Sequence, residues 1–157
     1  MLQTKIREEA IPTCIVMQGV PGSGKTTIAE ERWPDFRRCS ADDYFVVDGE
    51  YRFDPAGLPQ AHQASFEKFL AAIADRADVV VDNTNTSVWE LAPYFRYAEV
   101  QGYDVRIVRV LCDPEVAAAR NSHGVPAHAV KRMAEGIEAS ASQLPPWWPV
   151  DELDTSV

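Results

Sequence analysis

Residues 19–26 read GVPGSGKT, which completes the pattern G-x-x-x-x-G-K-[ST]. The apolar run CIVM at residues 14–17 comes before it, and a helix-compatible stretch begins at Thr27. Glycines let consecutive backbone N–H groups curl around a phosphate, and the N-terminal end of the following helix attracts the same anion. The sequence therefore predicts a phosphate-binding loop between a strand and a helix.

Individual positions in this loop have distinct predicted roles. We expect Lys25 to bridge the β- and γ-phosphates of a bound nucleotide, and the Thr26 hydroxyl to ligate Mg²⁺. The other nucleotide-binding residues predicted from the pattern are Gly19, Gly22, Ser23, Gly24 and Thr27. The alternative, a glycine-rich turn with an exposed lysine, is disfavoured because a strand and a helix flank the pattern.

The chain has 157 residues, of which 46% are apolar and 25% charged, and residues 1–157 fit one compact domain. The net charge is −9, and the sequence contains no stripe of basic residues. This disfavours binding along a long nucleic acid, but it permits binding of a short nucleic-acid end through a few contacts. The sequence has no apolar run of about twenty residues, and residues 1–10 lack the apolar segment of a signal peptide. We therefore expect a cytoplasmic protein in which Cys14, Cys39 and Cys112 are buried, reduced thiols.

Apolar segments with strand character alternate with amphipathic segments along the chain. The predicted strands cover residues 13–18, 37–40, 78–82 and 104–111; the predicted helices cover 26–33, 59–74, a segment that ends before Gly102, and two further segments. Phe66, Phe69, Leu70 and Ile73 share one face of the second helix and are predicted core residues. The alternation predicts a three-layer α/β fold in which helices cover both faces of a parallel sheet.

Two segments leave alternatives open. Ser87 and Glu90 form a capping box, but Pro93 lies deep for an uninterrupted helix, which therefore starts near Pro93 or is kinked, with a loose first turn favoured. Residues 142–157 follow a core of about residues 13–141 and contain PPWWP at 145–149. This tail either packs on the domain or serves as a docking peptide, and paired tryptophans favour packing because they seek burial.

Carboxylates follow the second and third predicted strands, where the chemistry of open α/β sheets collects. Asp42 is positioned to take a proton from an acceptor hydroxyl that faces the γ-phosphate, although it can instead cap the next turn, and Asp43 serves as a cap or support. Asp82 ends a valine run and is either a Walker-B-type Mg²⁺ ligand or a strand-end hydrogen-bond acceptor. Residues 83–85 can orient a substrate or brace the loop.

Residues 120–126, RNSHGVP, connect two helices after the fourth strand and are suited to a lid. Arg120 is predicted to stabilise the charge of the transferred phosphoryl group when this lid closes, the alternative being a surface arginine at a helix end. The three histidines lack the spacing of metal ligands, so the sequence predicts no zinc site.

Four segments together carry a resemblance: GVPGSGKTT at 19–27, SADDYF at 40–45, DNTN at 82–85 and RNSHGVP at 120–126. They resemble the kinase domain of phage-type polynucleotide kinase and its close P-loop relatives, including the kinase-like domain of cyclic-nucleotide phosphodiesterases. Residues 48–55, DGEYRFDP, are more similar to the relatives than to the phage enzyme.

The resemblance implies a four- or five-stranded parallel sheet of the adenylate-kinase-like type, with ATP and Mg²⁺ as cofactors. It also implies phosphoryl transfer to a hydroxyl, with Lys25, Thr26, Asp42 and Arg120 at matching positions and a nucleic-acid 5′-end or nucleotide-like molecule as acceptor. Phe45 stands where the phage-type kinase has an acceptor-phosphate arginine, and the loop 121–126 lacks its second lid arginine. A kinase for a small molecule or modified nucleoside, and an ATP-binding or ATPase-like module, therefore stay open as alternatives.

Overall fold

The structure, a computed structural model, describes residues 9–156. Its strands are β1 (Thr13–Gln18), β2 (Arg37–Cys39), β3 (Val46–Val47), β4 (Glu50–Tyr51), β5 (Val79–Val81), β6 (Asp104–Leu111) and β7 (Val150–Asp154). Its α-helices are α1 (Lys25–Arg32), α2 (Leu58–Ala74), α3 (Val88–Val100), α4 (Pro114–Arg120) and α5 (Ala127–Ala141). The predicted strands and helices are thus all present, with ends that differ by a residue or so.

Five strands form one sheet in the order β2-β5-β1-β6-β7, and every pairing in it is parallel. The predicted α/β fold with a parallel sheet is therefore confirmed. Because parallel strands end at the same edge, the segments that follow β1, β2 and β5 all meet there. This edge is where the predicted site residues lie.

The two faces of the sheet are buried by different helices. Val16 packs with Phe69 of α2 and Phe95 of α3 on one face. Ile15, the next residue along β1, packs with Ala29 of α1 on the other face. The alternation follows from the twofold repeat of a strand, and it leaves β1 buried on both sides, as its continuous apolar sequence indicates.

Helix α3 begins at Val88, and the Glu90 N–H donates to the Ser87 hydroxyl over 3.3 Å. Pro93 lies inside this helix, so the alternative in which the helix starts near Pro93 is wrong. Pro93 has no N–H, so only the carbonyl oxygen of Trp89, on the first turn of α3, lacks its helical hydrogen bond. Trp89 is 86% exposed, so water can solvate that turn.

The tail packs on the domain and completes the sheet. Trp148 is 6% exposed and stacks on Phe95 with ring centroids 3.8 Å apart, and β7 then pairs with β6. The sequence indicated an extended packed segment but not this strand. It also missed the hairpin β3-β4, for which Asp48-Gly49 was an available turn signal; both residues have positive φ, 52° and 79°.

The cysteines differ in burial: Cys14 and Cys39 are buried free thiols, whereas Cys112 is half-buried. Among residues 9–156, no helix has both the length and the apolar character that crossing a membrane requires.

Candidate active site

The phosphate-binding loop joins β1 to α1 and packs closely against α4. Gly22 has a φ of +82°, and a Cβ atom there would lie 2.0 Å from the carbonyl oxygen of Ala117. Gly24 also has positive φ, 96°, and is the N-cap of α1. At residue 22 only glycine fits without a movement of the backbone, because the positive φ and the nearby Ala117 carbonyl both exclude a side chain.

Lys25 is the first residue of α1, and its side chain turns back under the loop. It is 9% exposed, and its Nζ donates to the carbonyl oxygen of Val20 over 3.1 Å. Burial lowers the pKa of Lys25 because it disfavours the charged ammonium, and the nearby carboxylates of Asp82 and Asp42 oppose this shift. The alternative of a glycine-rich turn with an exposed lysine is therefore wrong, because Lys25 is buried.

Thr26 and Asp82 place two side-chain oxygens that can ligate a metal next to each other at the edge of the sheet. The Thr26 hydroxyl donates to Asp82 Oδ2 over 2.7 Å, and Asp82 is 4% exposed. Hydroxyl and carboxylate oxygens are the ligands that Mg²⁺ prefers, so the residues fit the ion that the sequence predicts here.

Arg38 of β2 is a site residue that the sequence analysis missed. Its Nη1 donates to Asp82 Oδ2 over 3.2 Å, and its Nη2 donates to Asp43 Oδ1 over 2.8 Å. Asp43 thus supports the arginine that compensates the buried Asp82 carboxylate. The sequence carried no signal for this contact, because it depends on β2 and β5 being neighbours in the sheet.

Asp42 lies in a short 3-10 turn (Ala41–Phe45) that follows β2. The cap of this turn is Ser40, whose hydroxyl accepts from the Asp42 N–H over 3.3 Å. The Asp42 carboxylate faces the cleft instead: its Oδ1 accepts from the Tyr51 hydroxyl over 3.3 Å, and its Oδ2 lies 3.6 Å from His123 Nδ1. Side-chain capping by Asp42 is therefore not what the structure shows.

Residues 83–85 brace the loops around the site. Asn83 Oδ1 accepts from the Ala41 N–H over 2.8 Å, which fixes the start of the turn that holds Asp42. The Asn85 amide donates to the carbonyl oxygen of Met17 over 2.7 Å, just before the phosphate-binding loop. The bracing alternative is thus seen for both asparagines.

One cleft of about 720 Å³ brings most of the predicted residues together; its walls include Gly22, Gly24, Lys25, Thr26, Thr27, Asp42, Asp82 and Arg120. Gly19 and Ser23 are not among its lining residues. The Gly19 N–H donates to the Thr84 carbonyl, and the Ser23 N–H donates to the Val20 carbonyl, both over 3.1 Å. The N–H groups of these two residues are thus used within the protein, and their predicted contact with a nucleotide stays a prediction.

Arg120 ends α4, and the C-terminal tail connects it to the phosphate-binding loop. Its Nη1 donates to the carbonyl oxygen of Thr155 over 2.7 Å. The Thr155 hydroxyl donates to the carbonyl oxygen of Ser23 over 2.6 Å, and the Thr155 N–H donates to Leu111 at the end of β6. Thr155 thus links the loop, the sheet edge and the predicted lid arginine.

We predict that Thr155→Val raises the Kd for ATP by about 3- to 10-fold, because the Ser23 carbonyl loses its hydroxyl donor. Thr155→Ser keeps the hydroxyl and is expected to bind as the wild type does. Isothermal titration calorimetry of both variants checks this, with thermal melting to confirm that each folds. Equal affinity in the two variants would show that the contact does not affect the loop.

The sheet order, the loop after β1 and the carboxylate after β5 define a P-loop fold of the kinase-like class. A family profile described as an AAA domain, AAA_33, matches residues 14–140, and the chain belongs to this family. Human NEDD4-binding protein 2 is 33% identical in an alignment of 136 residues that covers 82% of this chain. The chain spans only 8% of the length of that relative.

Two solved structures show the same fold. A chain in the structure of the Pnkp1/Rnl/Hen1 RNA repair complex aligns with a TM-score of 0.72 and 18% identity, covering 90% of this chain and 49% of that one. A gluconokinase from Sinorhizobium meliloti 1021 aligns with a TM-score of 0.59 and 17% identity, covering 95% of this chain and 86% of that one. At these identities the likeness concerns the fold alone.

Proposed function

We propose that this chain transfers the γ-phosphoryl group of ATP to a hydroxyl on a nucleic-acid 5′-end or a nucleotide-like molecule. The observation that carries the proposal is that Asp42 lies in one cleft with Lys25 and the Thr26–Asp82 pair. A carboxylate opposite a phosphate-binding lysine is the arrangement that phosphoryl transfer to a hydroxyl requires.

Mg²⁺ fits this proposal as the metal that accompanies ATP, with Thr26 and Asp82 as the residues that would hold it. When bound, it supplies positive charge that offsets the charge of the phosphates. Arg38 keeps the Asp82 carboxylate oriented, since both of its contacts, to Asp82 and to Asp43, are charge-assisted hydrogen bonds.

Asp42 takes the proton of the acceptor hydroxyl as the oxygen of that hydroxyl forms a bond to the γ-phosphorus. The bond between the γ-phosphorus and the bridging oxygen breaks, and ADP leaves. Tyr51 donates to Asp42 Oδ1, and the proton goes to Oδ2, which lies 3.6 Å from His123 Nδ1. Lys25 stabilises the charge of the phosphates, and Arg120 adds a guanidinium as the lid closes.

A kinase for a small molecule or modified nucleoside is the second candidate. The gluconokinase with the same fold favours it, since the fold also holds acceptors that are not nucleic acids. An ATPase-like module without an acceptor is the third reading of the same cleft.

A transfer assay with γ-labelled ATP separates these functions. The acceptors are a 5′-hydroxyl oligonucleotide, nucleosides and gluconate, each at matched concentration with Mg²⁺. We expect labelled product from the oligonucleotide or the nucleosides at rates well above a buffer control. Slow ATP hydrolysis that no acceptor changes would contradict the proposal and favour the ATPase-like module.

A further inference from the structure

Aromatic residues form the wall of the cleft next to Asp42. We call Phe45, Tyr51 and Phe53 the aromatic wall; all three line the cleft. The Tyr51 and Phe53 rings are almost parallel, with an interplanar angle of 9° and centroids 6.5 Å apart. Phe53 is 49% exposed, so its ring offers surface to a molecule in the cleft.

The aromatic wall is held in place from below. Phe45 is only 4% exposed and meets both other rings edge-on, at 6.2 Å from Tyr51 and 5.0 Å from Phe53. Edge-to-face contacts of this kind fix the orientation of rings. The exposed Phe53 ring is therefore a supported platform rather than a loose side chain.

Tyr51 connects the aromatic wall to the proposed general base. Burial raises the pKa of Tyr51 to about 12, and the Asp42 carboxylate beside it acts in the same direction. The hydroxyl therefore stays protonated at neutral pH and remains a donor to Asp42. The aromatic wall and the Asp42 carboxylate are therefore neighbours, since the Tyr51 hydroxyl lies 3.3 Å from Asp42 Oδ1.

The face of Tyr51 already holds a planar heterocycle. The imidazole of His123, from the loop between α4 and α5, stacks on it with centroids 4.2 Å apart and an interplanar angle of 16°. Phe53 lies beside this pair, with its ring centroid 6.5 Å from that of Tyr51, so a ring bound on Phe53 would lie close to an existing stack. Aromatic platforms of this type bind bases whatever their sequence, because every base has a π-face.

The lysine and arginine side chains of the cleft are not part of the aromatic wall. Among the described residues, the lysine and arginine side chains that line it are Lys25 and Arg120. Lys25 Nζ donates to the Val20 carbonyl in the phosphate-binding loop, and Arg120 Nη1 donates to Thr155. The Asp42 carboxylate lies beside the aromatic wall and would repel an acceptor phosphate there, which favours recognition by a ring over recognition by charge.

We infer that the acceptor is recognised through a nucleoside-like ring that stacks on Phe53, beside the Tyr51–His123 pair, with its hydroxyl directed to Asp42. This inference rests on the proposed function and adds to it a stacking subsite that uses no acceptor phosphate. A polyol without a ring is then a poor acceptor, and a free nucleoside is as good as the same nucleoside at an oligonucleotide end.

A series of acceptors with the same hydroxyl tests the subsite. We expect kcat/KM for thymidine to exceed that for the methyl deoxyriboside, which lacks the base, by about 10-fold or more. A 5′-hydroxyl oligonucleotide that begins with thymidine is expected to fall within a few-fold of thymidine. Its KM is also expected to change little between 50 and 200 mM salt, since phosphate contacts would make it rise steeply. Equal values with and without the base, or a steep salt dependence, would overturn the inference.

Variants of Phe53 test the same subsite in the protein. Phe53→Ala is expected to raise the KM for thymidine about 10-fold with the KM for ATP unchanged, whereas Phe53→Tyr keeps the ring and the wild-type KM. Trp89→Ala is the matched control, because Trp89 is exposed on α3 and does not line the cleft. An unchanged KM in Phe53→Ala would overturn the inference.

Calorimetry distinguishes a wrong stacking subsite from a wrong proposed function. Thymidine is titrated into each variant in the presence of Mg²⁺ and a non-hydrolysable ATP analogue. Binding that depends on Phe53 without any transfer would support the stacking subsite and contradict the kinase. Transfer that does not depend on Phe53 would support the kinase and contradict the subsite.

Discussion

Lys25→Met is expected to lower the rate of phosphoryl transfer by about 10³-fold, because it removes a preorganised positive charge from the phosphate-binding loop. Lys25 is buried near the carboxylates of Asp82 and Asp42, so its charge is held in a fixed position. Methionine has a similar length and keeps the packing under the loop. Single-turnover transfer with labelled ATP and a saturating acceptor measures the effect.

The stability of this variant provides its control. A lysine whose pKa is lowered by folding destabilises the native state below its unfolded pKa, because the unfolded chain binds the proton more tightly. Lys25→Met is therefore expected to melt at the wild-type temperature or above it at pH 7. A transfer rate within 10-fold of the wild type, in a folded variant, would contradict the role assigned to Lys25.

Asp42→Ala is expected to lower transfer by about 10²-fold or more while ATP binding survives, as the loss of a general base predicts. The reason for the split is geometric. Asp42 contacts Tyr51 and His123, whereas the phosphate-binding loop makes its own contacts to Thr84 and Thr155. Initial rates of transfer and calorimetry with ATP measure the two quantities separately.

Asp48→Asn is the matched control for the loss of an acidic charge. Asp48 is an exposed residue of the β3-β4 turn with a φ of 52°, a conformation that asparagine also adopts readily. It is expected to transfer at the wild-type rate. If Asp42→Ala also kept that rate, the carboxylate would not act as the base, and its contact with Tyr51 would be structural.

Several features of the fold and site follow from local sequence. The valine run of β5 and the apolar residues of β1 predict buried parallel strands, because both faces of such strands are covered. The spacing of Gly19, Gly24 and Lys25 predicts the phosphate-binding loop, because dihedral freedom and a helix N-terminus are local properties. Helix α4 starts at Pro114, directly after the N-cap Asp113, and this start is also local in origin because proline suits the first position of a helix.

Other features depend on residues that are distant in the chain. Local sequence predicts the strands β1, β2, β5 and β6, the position of the phosphate-binding loop and the carboxylates that follow the strands, because these properties arise within a few consecutive residues; it does not predict β3, β4 or β7. The contact of Arg38 with Asp82, the stacking of His123 on Tyr51 and the link from the loop through Thr155 to Arg120 appear only in the folded chain. These contacts arise when sheet order and loop packing bring separate segments together. No periodicity or spacing along the chain shows which distant segments will become neighbours.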